Sequence, residues 1–319
     1  MTTTVPFGRT GVETSPLALG TSGWGPRRTG ETAEQRDARI SELADAFFAG
    51  RLGTTLLDTS NAYGEDAGAP HSERLIGEAI ARVGGVPAGL VVQSKLDRDM
   101  ATGRFDAARM RDSLAESLDR LGIERIPVLY LHDPENIGFK AAMAPGGPVD
   151  ALLAMRESGA ADAIGISGGP VGMLQRFVET DLFDALVTHN RFTLVDRSAE
   201  ALLDAAAERG LGIANAAPYG AGVLTGDPRF AGSYGYRPIR PEVQDAVDRA
   251  TAACVRVGVP LSAAALQFSL RDPRVHTTIV GAASLAGWER AARDAAARIP
   301  DELWAELAPL AAGIALDAW

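Results

Sequence analysis

Four side chains of different chemistry stand at consecutive positions where apolar segments give way to polar ones. Asp58 ends LLD, Tyr63 follows it in TSNAYG, Lys95 follows GLVVQS, and His132 follows IPVLYL. A carboxylate, a phenol, an ammonium and an imidazole together form a proton-transfer set, with one fixed cation to stabilise negative charge. Singly, each has an ordinary explanation. Asp58 reads equally well as a helix cap, Lys95 as a surface charge and His132 as a hydrogen-bonded core histidine. The set acquires meaning only if the fold brings the four together.

The elements that would do so alternate along the chain. A first extended piece, Val5 to Leu19, folds as a hairpin around Arg9-Thr10-Gly11 and ends at Gly20. Apolar strands are expected at Thr54 to Leu57, Gly89 to Ser94, Ile126 to Leu131, Ala163 to Ile166, Ala185 to Thr188, Leu211 to Ala214 and Thr277 to Val280. Helical periodicity fills the intervals at Thr32 to Gly50, Ser72 to Val83, Asp106 to Leu121, Val149 to Ser158, Val171 to Glu179, Ser198 to Arg209 and Pro241 to Val257, with Ser262 to Leu270, Leu285 to Ile299 and Asp301 to Leu310 toward the end. Short apolar strands buried on both faces imply a parallel sheet. Eight such units predict an α/β fold of the (β/α)8 TIM barrel type, with an N-terminal hairpin and extra C-terminal helices, as one domain over residues 1–319. In that fold the strand C-terminal ends share one rim, so Asp58, Tyr63, Lys95 and His132 converge. The segment Asn215 to Arg240, rich in glycine, reads as a mobile cover over the rim. GTSGWG, residues 20–25, lacks the glycine spacing of a dinucleotide fingerprint, and its Trp24 is expected in an exposed loop, as a substrate wall or a lid on the core.

Composition narrows the partner. A net charge of −10 without a Lys/Arg run disfavours nucleic acid and anionic membranes, leaving a small molecule. With 46 % hydrophobic residues and no long apolar run, a membrane span is not expected, and MTTTVPFGRTG does not read as a secretory leader, which implies a cytoplasmic setting. The single cysteine, Cys254, rules out an internal disulfide or thiolate cluster and reads as a packing residue. Four scattered histidines suggest no metal ligand set.

GTSGWG, DTSNAYG, the SK at Lys95, LHDPE, AIGISGG and GVLTG resemble the corresponding motifs of the aldo-keto reductases over nearly the whole chain. FDALVTHNRFTLVD with PYGAGVL is similar to the branch of that family containing aldose 1-dehydrogenases acting on L-fucose and D-threo-aldoses. The resemblance implies an NAD(P)-dependent oxidoreductase that moves a hydride between nicotinamide and the carbonyl or hemiacetal carbon of a sugar or small aldehyde. It makes Tyr63 the proton donor and acceptor, Lys95 the cation that lowers its pKa, Asp58 the partner of Lys95, and His132 the donor that orients the substrate oxygen. The cofactor would lie across the rim, with Ser167 and Asn190 at the carboxamide, and Gly20, Thr21, Ala217, Tyr219, Gly222 and Leu224 along its length. Gly281 and Ser284 would approach the adenosine ribose. The 281–284 loop carries no basic residue, which leaves NAD as open as NADP unless Arg229 or Arg237 folds over it. Other readings of the same residues are a general aldehyde or pyridoxal-type enzyme, a cofactor-binding regulatory protein with slow turnover, and an unrelated barrel that uses Lys95 as a Schiff-base nucleophile. The oligomeric state is left open.

Overall fold

The computed structural model describes residues 3–64 and 72–311. Eight parallel strands close into a barrel: β1 (Leu17–Gly20), β2 (Leu56–Asp58), β3 (Val91–Leu96), β4 (Ile126–His132), β5 (Ala161–Gly168), β6 (Ala185–His189), β7 (Gly212–Ala216) and β8 (Thr277–Gly281). Each pairs with its sequence neighbour, and β8 pairs with β1 to complete the ring. The expected (β/α)8 barrel is therefore the fold.

The helices form where their start and stop signals stand. Thr32 and Gln35 build a capping box at the head of Ala33–Phe48. Asp106 caps Ala107–Leu121 through the Arg109 amide, and Gly122 ends that helix at φ 66°. Among the described residues no single helix is long and apolar enough to cross a membrane.

The N-terminal hairpin, Val5–Pro6 paired with Glu13–Thr14, closes the barrel floor. Its Phe7 is fully buried among Ala18, Leu56, Val128, Tyr130, Ala163 and Ala214, so the barrel is filled rather than hollow. One interior residue links this packing to the rim. The Tyr130 ring lies where a Cβ on Gly165 would come within 2.4 Å of it, so glycine at 165 admits the ring. Its hydroxyl then donates to Gln93 Oε1 at 3.2 Å.

The 215–240 segment is not the plain mobile cover expected. It contains a turn of 3-10 helix at Gly220–Thr225, a second at Pro228–Phe230, and a small hairpin, Ser233–Tyr234 with Arg237–Pro238. Tyr234 is buried and its hydroxyl donates to Asn190 O at 3.0 Å, while Val223 and Leu224 enter the apolar core. These contacts pin the segment to the loop after β6.

Gly77, inside the helix Ser72–Val83, packs so closely on the next helix that a Cβ there would stand 1.9 Å from the Arg120 carbonyl oxygen. Alanine improves helix propensity by about 1 kcal/mol, but the clash is with backbone and overpacking costs ~1–3 kcal/mol. Gly77→Ala is therefore expected to lower the denaturation midpoint. A thermal or urea melt showing an unchanged or raised midpoint would contradict the close helix contact.

Candidate active site

The β2 end is organised around a buried ion pair. Lys95 and Asp58 are 1 % and 3 % exposed. Lys95 Nζ donates to Asp58 Oδ1 at 2.8 Å and Oδ2 at 2.7 Å, to Thr59 O at 2.8 Å, and reaches the Tyr63 hydroxyl at 3.3 Å. Gln93 Nε2 donates to Asp58 Oδ1 at 2.8 Å. Gln93 stands opposite Asp58 in the sheet register, and Lys95, two residues on, shares its face of the strand. Tyr130, Gln93, Asp58, Lys95 and Tyr63 thus form one chain of contacts from barrel interior to rim.

His132, the last residue of β4, stands edge-on to Tyr63 with ring centroids 5.7 Å apart. The four side chains singled out from their types do meet. Sequence reasoning passed over the residues behind His132. Asp97, just past β3, lies with Oδ1 2.6 Å from His132 Nδ1, and its Oδ2 accepts from the Ala62 amide at 2.9 Å and from the Ser60 hydroxyl. The only available signal was a second acid two residues after Lys95, which is indistinguishable from a loop carboxylate.

The loop Thr59–Gly64 is held from outside the barrel. Asn61 Nδ2 donates to Ser113 O at 3.0 Å, Arg109 Nη2 donates to Asn61 Oδ1 at 2.9 Å, and Arg120 Nη1 donates to Asn61 O at 2.9 Å. Arg109 and Arg120 lie on the helix Ala107–Leu121, so that helix fixes where Tyr63 is presented.

Charge at the rim differs from expectation at one residue. Lys95 was expected to lower the Tyr63 pKa, yet the phenol is held well above its ordinary value. Burial is the main cause, followed by the carboxylates of Asp58, Asp133 and Asp97. The ammonium is in contact at 3.3 Å, but burial and three acids from separate strand ends set the direction. Burial opposes charge on His132, while Asp133 and Asp97 favour it, and the ring is raised to about 9. The same cation, acting against burial, keeps Asp97 and Asp133 below the usual carboxylate range.

Two further assignments are corrected. Trp24 is fully buried, packs in the cluster with Leu19, Ile40 and Trp288, and donates from Nε1 to Ala282 O at 2.8 Å, so it is a core residue and not a substrate wall. Thr21 is fully buried too, and its hydroxyl is engaged with Asp58 O at 3.1 Å and Thr59 Oγ1 at 2.9 Å, bracing the β2 end instead of facing a cofactor.

The remaining cofactor candidates lie along one arc of the rim. Ser167 is opposite His132 in the register, and Gly20, Asp58 and Gly281 are aligned at neighbouring strand ends. Asn190 has φ 58° and a buried Oδ1 with no partner, an acceptor suited to an amide N–H such as that of a carboxamide. Ala217 and Gly222 take positive φ, and a Cβ on Gly222 would strike the Phe230 ring at 2.5 Å, so the 3-10 turn after Tyr219 keeps bare backbone at that point. Leu224 is a core residue by its side chain. Ser284 caps the helix Leu285–Ala296 and also accepts from Arg28 Nη2 at 3.0 Å. A cation does reach the eighth-strand loop, supplied by the segment after β1.

The model of the aldo/keto reductase family matches residues 16–312. D-threo-aldose 1-dehydrogenase of a Pseudomonas species is 38 % identical over 206 residues, 64 % of this chain and 62 % of that protein, so the match spans less than two thirds of its length. L-galactose dehydrogenase of Arabidopsis thaliana is 28 % identical, covering 88 % of this chain and 83 % of its own. The solved holo form of an aldo-keto reductase from Bacillus halodurans superposes with a TM-score of 0.76 at 18 % identity, covering 99 % of both chains. On the family match over residues 16–312, carried by this barrel, the chain is a member of the aldo/keto reductase family.

Proposed function

We propose that the chain interconverts an aldose or small aldehyde with its oxidised or reduced partner, using NADP or NAD and exchanging the proton through Tyr63. The observation that carries this reading is Lys95 Nζ lying between Asp58 and the Tyr63 hydroxyl. When bound, the nicotinamide supplies or takes the hydride at the substrate carbon. The residues Asn190, Ser167, Ala217, Gly222, Gly281 and Ser284 would hold it.

The side chains do the rest. Reduction of a carbonyl leaves an alkoxide, which is a stronger base than a phenolate. Tyr63, kept neutral by burial and by the nearby carboxylates, holds a proton to give. As that proton leaves, the Lys95 ammonium stabilises the phenolate. In the opposite direction the alcohol proton returns along the same contact. Asp58 holds Lys95 in place, and His132 addresses the substrate oxygen from the other side. The Schiff-base alternative is disfavoured because Lys95 Nζ is engaged by two carboxylate oxygens and a carbonyl and offers no free lone pair. The aldose reading takes its support from the relatives named as D-threo-aldose and L-galactose dehydrogenases.

NADP is supported over NAD by Arg28, whose guanidinium donates to Ser284 in the loop expected to approach the ribose and would be a cation for a 2′-phosphate to pair with. Arg229 is instead paired with Asp227 at 2.5 Å.

A panel of aldoses, simple aldehydes and pyridoxal, assayed with both coenzymes in both directions, is expected to show its highest kcat/KM with an aldose. Higher efficiency on pyridoxal or simple aldehydes would replace that reading. Tyr63→Phe should lower kcat by ~10²–10⁴-fold while the coenzyme Kd, read from nicotinamide fluorescence, stays within experimental scatter. Activity retained in this variant would remove Tyr63 from the proton path. Arg28→Ala should weaken NADPH binding about tenfold, the equivalent of ~1.4 kcal/mol, and leave NADH binding unchanged. Equal losses for both coenzymes would sink the 2′-phosphate role.

A further inference from the structure

His132 has two ring nitrogens, and their surroundings decide which one can exchange a proton. Nδ1 faces Asp97 Oδ1 at 2.6 Å and Ser60 Oγ at 3.1 Å. Ser60 has one hydroxyl proton, and it is donated to Asp97 Oδ2, because an ionised carboxylate only accepts. Toward His132 the Ser60 oxygen can then only accept. Both neighbours of Nδ1 are acceptors, so Nδ1 carries a proton whatever the charge on the ring. Nε2, 3.6 Å from Asp133 Oδ1, is the ring atom whose proton can come and go.

Asp97 is built to impose this. The Ala62 amide donates to its Oδ2 at 2.9 Å, its own amide donates to Ser113 Oγ at 3.1 Å, and Arg109 Nε donates to its carbonyl at 3.1 Å. The carboxylate is buried and cannot swing away from the imidazole. We infer that Asp97, with Ser60, is a positioning residue that locks the Nδ1–H form of His132, so that Nε2 donates to the substrate oxygen only from the imidazolium.

The inference rests on the carbonyl–alcohol reading given above, and it sharpens that reading. A neutral histidine protonated on Nε2 would donate at any pH. One locked on Nδ1–H instead donates to the substrate oxygen only while the ring is charged, so the rate of reduction follows the titration of this one group. The groups that set its midpoint are Asp97 from the end of β3, Asp133 beside it, Lys95 from β3 paired with Asp58 of β2, and Tyr63 at its edge. Beyond Asp133 stand His189, 3.9 Å away, and Tyr236, whose ring lies against His189. Asp133 and Asp97 outweigh burial and Lys95, and the ring charges up to about 9. Reduction should therefore fall as pH rises through that value.

The test reads the ring directly in the intact protein. Two-dimensional 1H–15N NMR of 15N-histidine-labelled protein, with His132 assigned by the loss of its signals in His132→Gln, should show Nδ1 protonated on both sides of the titration and Nε2 losing its proton. A neutral form protonated on Nε2, or a midpoint at the ordinary histidine value of about 6.5, would overturn the inference. Asp97→Asn should lower the midpoint by at least one unit, carry the basic limb of reduction down with it, and reduce kcat at slightly alkaline pH about tenfold or more without changing coenzyme Kd. Asp97→Glu should restore part of the shift. An Asp97→Asn protein with an unchanged NMR midpoint and pH–rate profile would also overturn it. Because the NMR signature needs no substrate, its presence without turnover on any carbonyl would mark failure of the reaction reading alone.

Discussion

The rim of this barrel depends on the buried pair between Asp58 and Lys95. Taking two charges out of water costs several kcal/mol per ion, and their attraction offsets this only when every remaining donor and acceptor is satisfied. Here they are. Both carboxylate oxygens accept from Lys95, one accepts again from Gln93, and Thr59 O takes a further Lys95 contact. Gln93 is steadied by Tyr130, and Tyr130 fits because residue 165 has no side chain. The interior packing of the barrel and the placement of its chemistry are therefore one arrangement. Removal of either charge alone would leave the other buried and uncompensated, at a cost of ~3–5 kcal/mol.

A second polar assembly mirrors the first across Thr59–Gly64. On one side of that loop Lys95 reaches Tyr63, and on the other Ser60 and Ala62 present their donors to Asp97, which faces His132. Asn61, between them, is clamped by Arg109 and Arg120 of the helix outside. Nine residues from Leu56 to Gly64 thus carry two of the four groups of the proposed proton path, Asp58 and Tyr63, and contact the other two, Lys95 and His132, which β3 and β4 deliver. Such preorganisation is what allows fixed charges to act on a transition state without reorganising first.

Much of this was legible in the sequence, and the parts that were not share a cause. The barrel was readable because short apolar strands alternate with capped helices, and the boundaries found differ by a few residues. Asp58, Lys95 and His132 were readable because they stand at three consecutive strand ends, and Tyr63 because it lies in the loop that follows the first of them. Trp24 and Thr21 were misplaced because their burial is decided by partners far along the chain, the Ala282 carbonyl for one and Asp58 with Thr59 for the other. Arg28 was overlooked for the same reason, since Ser284 is 256 residues away. The Tyr63 ammonium neighbour was foreseeable, but the opposing field needs three acids whose convergence only the closed ring creates.

The proposed proton path requires Asp58 and Lys95 to act as a unit. A double-mutant cycle on kcat/KM with Asp58→Asn, Lys95→Met and the pair tests this, with coenzyme binding checked in each protein. The loss in the double variant should be close to that of Lys95→Met alone, because Asp58 acts through the lysine. Losses that multiply independently would contradict a shared role and separate the carboxylate from the proton path.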